Sequence, residues 1–304
     1  MHASLKEWQK NNKMQLQSPY IAWPTVLLFL VATSIFMAST YAAVCGSIAL
    51  ILAFFINACI QFVLFTVLHD ASHRSLSQVS WLNELLGSIS VFLLTPLAGA
   101  KVFRFIHMQH HRFTNEDVAH DPDYWASKGP KWMLPLRWMF LDIHYVLWYL
   151  KHWNQRPRKE HVELVLTIGS AVLILTIASY FGYGFWALLL WLASGRLASS
   201  ALVMAFDYLP HYPHDTTAKE NEFRATNLKP NASWLMTPIL LGQNYHLIHH
   251  LYPRLPFYRY GWVWKSAQQP LIDSGARLMR WNGEEIPREE PNRPNSDTPV
   301  NQAH

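Results

Sequence analysis

The chain has 304 residues, 51% of them hydrophobic and 15% charged, and a formal net charge of +5. A soluble domain carries about 25% charged residues, so much of this surface does not face water, and an aromatic content of 14% excludes general disorder. Two cysteines inside apolar runs exclude a disulfide scaffold, and the scattered basic residues form no block that would bind nucleic acid.

Residues 14–69 contain no Asp, Glu, Lys or Arg. A spanning helix needs about 20 apolar residues, so the stretch predicts two, Tyr20–Tyr41 and Ala43–Leu68, joined by a very short turn. Leu85–Ala100 is shorter and is interrupted by Thr95-Pro96 and Gly99, which predicts a re-entrant or interfacial segment. Trp132–Leu150 mixes aromatic and charged residues and predicts an interfacial helix. Leu164–Gly195 is again free of formal charge; with its flanks it predicts a second hairpin, Val162–Tyr180 and Gly184–Phe206, turning at Phe181-Gly182-Tyr183-Gly184. Trp234–Leu241 is too short to span. Residues 286–304 are rich in Pro, Asn and Glu and predict a disordered tail, leaving residues 1–285 as one domain.

The predicted fold is all-α and integral to the membrane, with about four transmembrane helices in two hairpins, interfacial or re-entrant helices, and a histidine-rich cap. Both hairpin turns lack charge. Eleven Lys/Arg lie between Arg74 and Lys159, ten follow Phe206 and three precede the first span. The positive-inside rule places these segments, and so both termini, on the cytoplasmic side of an inner membrane.

Three tight histidine groups fall on that same side: His69-Asp70-Ala71-Ser72-His73, His107-Met108-Gln109-His110-His111 and His246-Leu247-Ile248-His249-His250. Spacings of i, i+3 and i+4 place imidazoles on one helix face, close enough to share metal ions. Eight histidines exceed the needs of one zinc, which takes three or four protein ligands. They suit two metals, and imidazole without thiolate suits iron. Asp70, Asp121, Asp123 and Asp207 lie near these histidines in sequence, as do carboxylates that accept the second N–H of a metal-bound ring. Asp121-Pro122-Asp123 reads equally as a turn with a helix cap. Asn244 reads as a residue that orients the third box or reaches a metal through water. Arg196 lies inside the fourth span, where a charge is costly and needs a partner. Asn57 and Gln61 read as hydrogen-bonding residues between helices. Tyr252–Tyr258, stiffened by two prolines, reads as a flank of a substrate entrance.

These boxes resemble those of the integral-membrane fatty acid desaturase and hydroxylase superfamily. Four segments are similar to the cyanobacterial-type β-carotene hydroxylases: Phe105–His111, Asp121-Pro122-Asp123, Phe206-Asp207-Tyr208-Leu209-Pro210-His211 and Leu241–Pro253. The resemblance covers about residues 60–265 and makes His211 a ninth metal ligand, with His214 a weaker candidate. It implies two iron ions, O2 as co-substrate, and removal of hydrogen from a lipid carbon drawn from the bilayer, ending in a hydroxyl group or a double bond. A carotenoid ring is the substrate it favours, and an acyl chain the alternative. With no dinucleotide fingerprint and no Fe–S cysteine set in the chain, a ferredoxin-type or similar electron donor is implied. A metal transporter or sensor is a remote alternative, since transporters hold ligands near the bilayer midplane and these boxes sit at span ends.

Overall fold

The structure is a computed structural model and describes residues 2–287. Helix α1 (Ala3–Asn11) lies against the C-terminal part of the chain, with Trp8 packed on Tyr252 and Trp262. The first hairpin is α2 (Trp23–Val44) and α3 (Leu50–Ser72). Its turn covers residues 45–49, longer than predicted, with Gly46 at φ 71°. A glycine in the left-handed region is a common helix stop. Helix α3 runs past the predicted end and so carries His69 and Asp70 in its last turn.

Next come α4 (Ser80–Leu94) and α5 (Ala100–Phe113), separated by a break at residues 95–99. Pro96 and the extended Thr95 end α4 inside the bundle, as expected of a re-entrant segment. Gly195 of the fourth span allows this tip to approach: a methyl group there would lie 2.4 Å from the Leu94 carbonyl oxygen. The aromatic segment forms two helices, α6 (Leu134–Met139) and α7 (Leu141–Lys151), broken at Phe140. Leu136, Phe140, Ile143, Leu147 and Leu150 on them are exposed, an apolar face suited to the membrane surface.

The second hairpin is α8 (Arg158–Tyr180) and α9 (Gly184–His211). The charged residues Arg158 to Glu160 join α8 as its first turn after Pro157. Helix α9 extends to His211 rather than stopping at Phe206, and contains wide π-helical turns at Leu188–Ala193 and Val203–Tyr208. Helices α2, α3, α8 and α9 are the four among the described residues that are long and apolar enough to cross a membrane. Their outer residues, such as Leu27, Val31, Leu166 and Leu173, are exposed. This is a membrane protein.

Three shorter helices follow: α10 (Ser233–Ile239), α11 (His246–Leu251) and α12 (Tyr260–Asp273). Strand β1 (Asn227–Leu228) pairs in parallel with β2 (Arg277–Leu278) and ties this cap together. Ile286 still donates a backbone hydrogen bond to Leu278 (2.8 Å), so ordered pairing passes the predicted start of the tail. Residues 288–304 of that expectation lie outside the described residues.

Several buried polar groups of the spans tie helices together. Asn57 donates to the Leu190 carbonyl (2.9 Å) and Gln61 to those of Leu93 and Trp191 (2.7 and 2.8 Å), linking α3 to α4 and α9. Arg196 makes a two-pronged ion pair with Asp142 at the start of α7, each contact 2.6 Å. This partner is 54 residues away in sequence, which is why the sequence could not name it.

Candidate metal centre

The ends of α3, α5, α9 and α11 converge, and with them all nine predicted histidines. One group holds His69, His73, His107 and His249, with ligand nitrogens all within 4.8 Å of one another. A second holds His110, His211, His246 and His250 within the same limit. His111 joins His249 and His250 in a third, overlapping group and so lies between the two. His111 and His250 are half-buried, and the other seven are buried.

Helical spacing explains the convergence. His69 and His73, His107 and His111, and His246 and His250 are i, i+4 pairs on three different helix ends. The third box is set by Gly242, at φ 84°, where a methyl would lie 2.9 Å from the Phe257 carbonyl oxygen. Only a glycine permits that left-handed turn and close approach together. His211 reaches the site because α9 does not end at Phe206.

The donor chemistry fits metal ions. Ring nitrogens Nε2 face one another in five pairs at 2.8–3.1 Å: His69–His249, His73–His107, His111–His249, His211–His246 and His246–His250. Three of these rings, or their neighbours, spend Nδ1–H elsewhere. His110 donates it to Asp121 (3.0 Å), His246 to Gln243 Oε1 (2.7 Å) and His249 to the Tyr260 hydroxyl (3.1 Å). A neutral ring with its proton on Nδ1 presents a lone pair at Nε2. Lone pairs converging in a buried site need a cation between them. Burial and mutual repulsion hold His73, His107, His111, His246, His249 and His250 well below the usual histidine pKa, so they are neutral donors at pH 7. Burial also pulls His110 down, but Asp121 and Asp123 outweigh it and raise it to about 9. A metal ion bound at Nε2 would take the place of that second ring proton, leaving the one on Nδ1 shared with Asp121.

The predicted acids behave differently from one another. Asp121 accepts from His110 and also from the backbone N–H groups of Asn115 (2.7 Å) and Asp123 (3.0 Å), so it is ring partner and helix cap at once. Asp123 lies 3.4 Å from His110 Nδ1 and accepts from the Tyr145 hydroxyl at 2.5 Å. Asp207 makes no hydrogen bond to a box histidine among the described residues. Asp70 corrects the expectation. Its carboxylate accepts from Thr25 (2.8 Å) and from the Phe257 N–H (3.3 Å), tying α2 and the 256–257 loop to the end of α3. Adjacent residues of a helix point about 100° apart, so Asp70 turns away from its neighbour His69. Asn244 donates to the Lys229 carbonyl (3.4 Å) and meets no histidine, while its Oδ1 is buried without a partner. His214 stays outside both groups. Tyr252 packs against α1 and accepts from Gln9 (2.9 Å), so this segment clamps the cap rather than flanking the slot described next.

Gln243 and Tyr260 were not anticipated. Gln243 precedes His246 by one helical turn, a spacing that could have been read. Tyr260 reaches His249 from α12, and nothing in the sequence marks it.

An apolar slot of about 60 Å³, with no histidine in its lining, lies beside the site between α3, α4, α7 and α9. Phe65, Phe103 and Phe206 line it and also touch the site: Phe103 stacks on His107 at 5.4 Å, and the other two lie 6.0 and 6.1 Å from His69. Tyr145 and Asp207 line it near the histidines, and Thr95, Asp142 and Ser199 line its far end.

A family model for fatty acid desaturases matches residues 44–280. The chain belongs to the fatty acid desaturase family. That match spans all three boxes and His211, and membership makes the chain an oxidoreductase. Among its relatives in the family is the sn-1 oleoyl-lipid 12-desaturase of Picosynechococcus sp., 26% identical over 83% of this chain and 78% of that protein. The β-carotene ketolase of Paracoccus sp. is 28% identical over 64% of this chain and 71% of its own length. The dihydrorhizobitoxine desaturase of Bradyrhizobium elkanii is 25% identical over 78% of this chain and 72% of that protein.

Proposed function

We propose that this desaturase-family protein holds two iron ions and oxidises an unactivated C–H bond near the end of a membrane lipid, first of all by hydroxylating a carotenoid ring. His69, His73, His107 and His249 would hold one iron, and His110, His211, His246 and His250 the other, with His111 between them. Bound there, iron with O2 supplies an oxidant that side chains cannot. Asp121, Gln243 and Tyr260 fix the tautomers of His110, His246 and His249, which keeps the metal-facing nitrogens unprotonated and oriented. Phe65, Phe103 and Phe206 exclude water and hold apolar substrate against the rings.

The observation that carries the reading is the slot. Its lining includes Phe65, Phe103 and Phe206, whose rings contact His69 and His107, and extends to Thr95 and Asp142. That geometry takes the end of a lipid past the metals, as a terminal ring requires, rather than half of a long chain. Basic residues crowd the same loops as the histidines, which supports a cytoplasmic site with electrons delivered by a soluble ferredoxin-type donor. Ligands at helix ends rather than at mid-span argue against transport.

A second reading has its own support: the 12-desaturase match covers more of this chain than the ketolase match does. In that reading the same site would desaturate or hydroxylate an acyl chain. Expression in a bacterium that accumulates β-carotene, with pigments and fatty acids analysed together by liquid chromatography–mass spectrometry, tests both. Hydroxylated carotenoids that vanish with His110→Ala are the expected result. Unchanged pigments with a new unsaturated or hydroxylated acyl chain would overturn the carotenoid reading in favour of the second.

A further inference from the structure

The far end of the slot is polar, although it lies among spans. Asp142 is fully engaged there: it accepts from Arg196 through both oxygens, from the Thr95 hydroxyl and from the Ile143 N–H. Thr95 in turn accepts from Arg196 Nη2 at 2.9 Å. Ser199, one turn after Arg196 on α9, is not engaged. It is 7% exposed and lines the slot, and its hydroxyl makes no hydrogen bond to any described residue. A serine inside a helix usually returns its hydroxyl to the preceding turn. Ser194, five residues earlier, does so, donating to the Leu190 carbonyl at 2.8 Å. The Ser199 hydroxyl thus has no hydrogen-bond partner among the described residues, and the residue lines the slot beside Thr95 and Asp142.

We propose that Ser199, backed by the Thr95–Asp142–Arg196 network, binds an oxygen atom on the end of the substrate that passes beyond the metal centre. The preferred substrate is then a lipid already carrying a hydroxyl or carbonyl group at that end, and an earlier oxygenation must supply it. The ion pair behind Ser199 fixes the depth of the stop, so the bound oxygen also sets which carbon lies at the histidines. This rests on the reading of the slot as the substrate site, but not on which lipid enters it.

The test is retention of matched probes by the purified holoenzyme in detergent, without reductant, so that no turnover occurs. One pair is β-carotene and its 4-keto derivative; the other is methyl palmitate and its 16-hydroxy derivative. Gel filtration followed by absorbance or mass spectrometry gives the amount retained. The oxygenated member of one pair should be retained about tenfold better, the worth of one added hydrogen bond. Ser199→Ala should abolish that preference while leaving retention of the parent unchanged, and Ser199→Thr should restore it. Equal retention within both pairs, no retention of any probe, or a preference that survives Ser199→Ala overturns the proposal. Retention of the acyl pair with preference intact would sink the carotenoid reading and leave this inference standing. Retention of both carotenoids without preference would do the reverse.

Discussion

Removing the carboxylate of Asp142 should destabilise the protein about as much as any single change away from the histidines. The Arg196 guanidinium makes four contacts: two at 2.6 Å to Asp142, one at 2.9 Å to Thr95 and one at 3.1 Å to the Met139 carbonyl. Asp142→Ala removes the two shortest and leaves a cation within the bundle with two neutral acceptors. The side chains are 18% and 9% exposed, so water cannot fully replace what is lost. Breaking a buried pair from one side costs about 3–5 kcal/mol, because the remaining charge is uncompensated. Arg196→Ala should cost a similar amount, leaving the carboxylate to Thr95 and the Ile143 N–H alone. Replacing both, with Arg196→Met and Asp142→Leu, removes both charges and should return stability to within about 1–2 kcal/mol of the original. The assay is denaturation in detergent micelles followed by tryptophan fluorescence, with the original protein, Asp142→Leu, Arg196→Met and the double variant forming the double-mutant cycle. The coupling energy should exceed about 3 kcal/mol. Single losses below about 1 kcal/mol, or additive losses, would mean that the pair behaves as a wetted surface bridge and that the argument from burial is wrong.

Other positions give sharper readouts of single features. His110→Ala should lower bound iron, counted by elemental analysis, from about two ions per chain to about one, as expected of a metal carried by three or four protein ligands; an unchanged count removes His110 from the site. Asp121→Asn keeps the shape but withdraws the charge that fixes the His110 proton, and iron affinity measured by chelator competition should fall about 10–100-fold. Gly195→Ala would put a methyl 2.4 Å from the Leu94 carbonyl oxygen and 3.3 Å from Gln61 Nε2. The tip of α4 must then shift, at a cost of about 1–3 kcal/mol in the same denaturation assay, and wild-type stability would show that the tip is free to move. Lys229 is 3% exposed, and its amine reaches only the Arg280 carbonyl (3.4 Å) and the Trp281 ring (5.6 Å). Burial pulls its pKa down to about 8. The unfolded value is about 10.4, so folding favours the neutral amine, and stability falls as pH drops from about 10.4 to 8 and is level below that. Lys229→Met should therefore stabilise the protein by about 1–2 kcal/mol at pH 7. The advantage should shrink towards zero above pH ~10, and one that grows with pH would contradict the sign of the shift.

The histidines were legible because their information is local. An i, i+4 pair at a helix end is written in five consecutive residues, and three such pairs suffice to imply a shared site. Apolar length was legible for the same reason, which is why the two hairpins fall where the charge-free runs lie. Their ends were not. The first turn of α8 and the last turn of α3 are polar, and they stay helical because Glu160 pairs with Arg156 and Asp70 with Thr25. Those partners are fixed by packing, not by composition. Sequence proximity misled at Asp70, which adjoins a ligand but points elsewhere, and succeeded at Asp121, which returns to His110 through a loop. Tyr260 and Asp142 act across the fold and leave no local trace.

Helix α9 shows the limit most clearly, because both the slot and the site depend on a feature that a regular helical wheel misplaces. Ser199 and Asp207 both line the slot, eight residues apart. In an unbroken α-helix that separation turns the second side chain about 80° from the first. The π-helical turn at Val203–Tyr208 starts between them and includes Asp207. One residue accommodated in a wider turn removes about 100° of rotation, leaving the two within about 20°. The same turn keeps Phe206 against His69 and brings His211 to its group, while Arg196 and Ser199 stay at the far end. A single helix can thus supply a metal-facing histidine, the wall of the slot and its polar stop. Hydrophobic periodicity read at 3.6 residues per turn places Asp207 off the slot, which is why the acid was identified from its neighbours in sequence while its position in the slot was not.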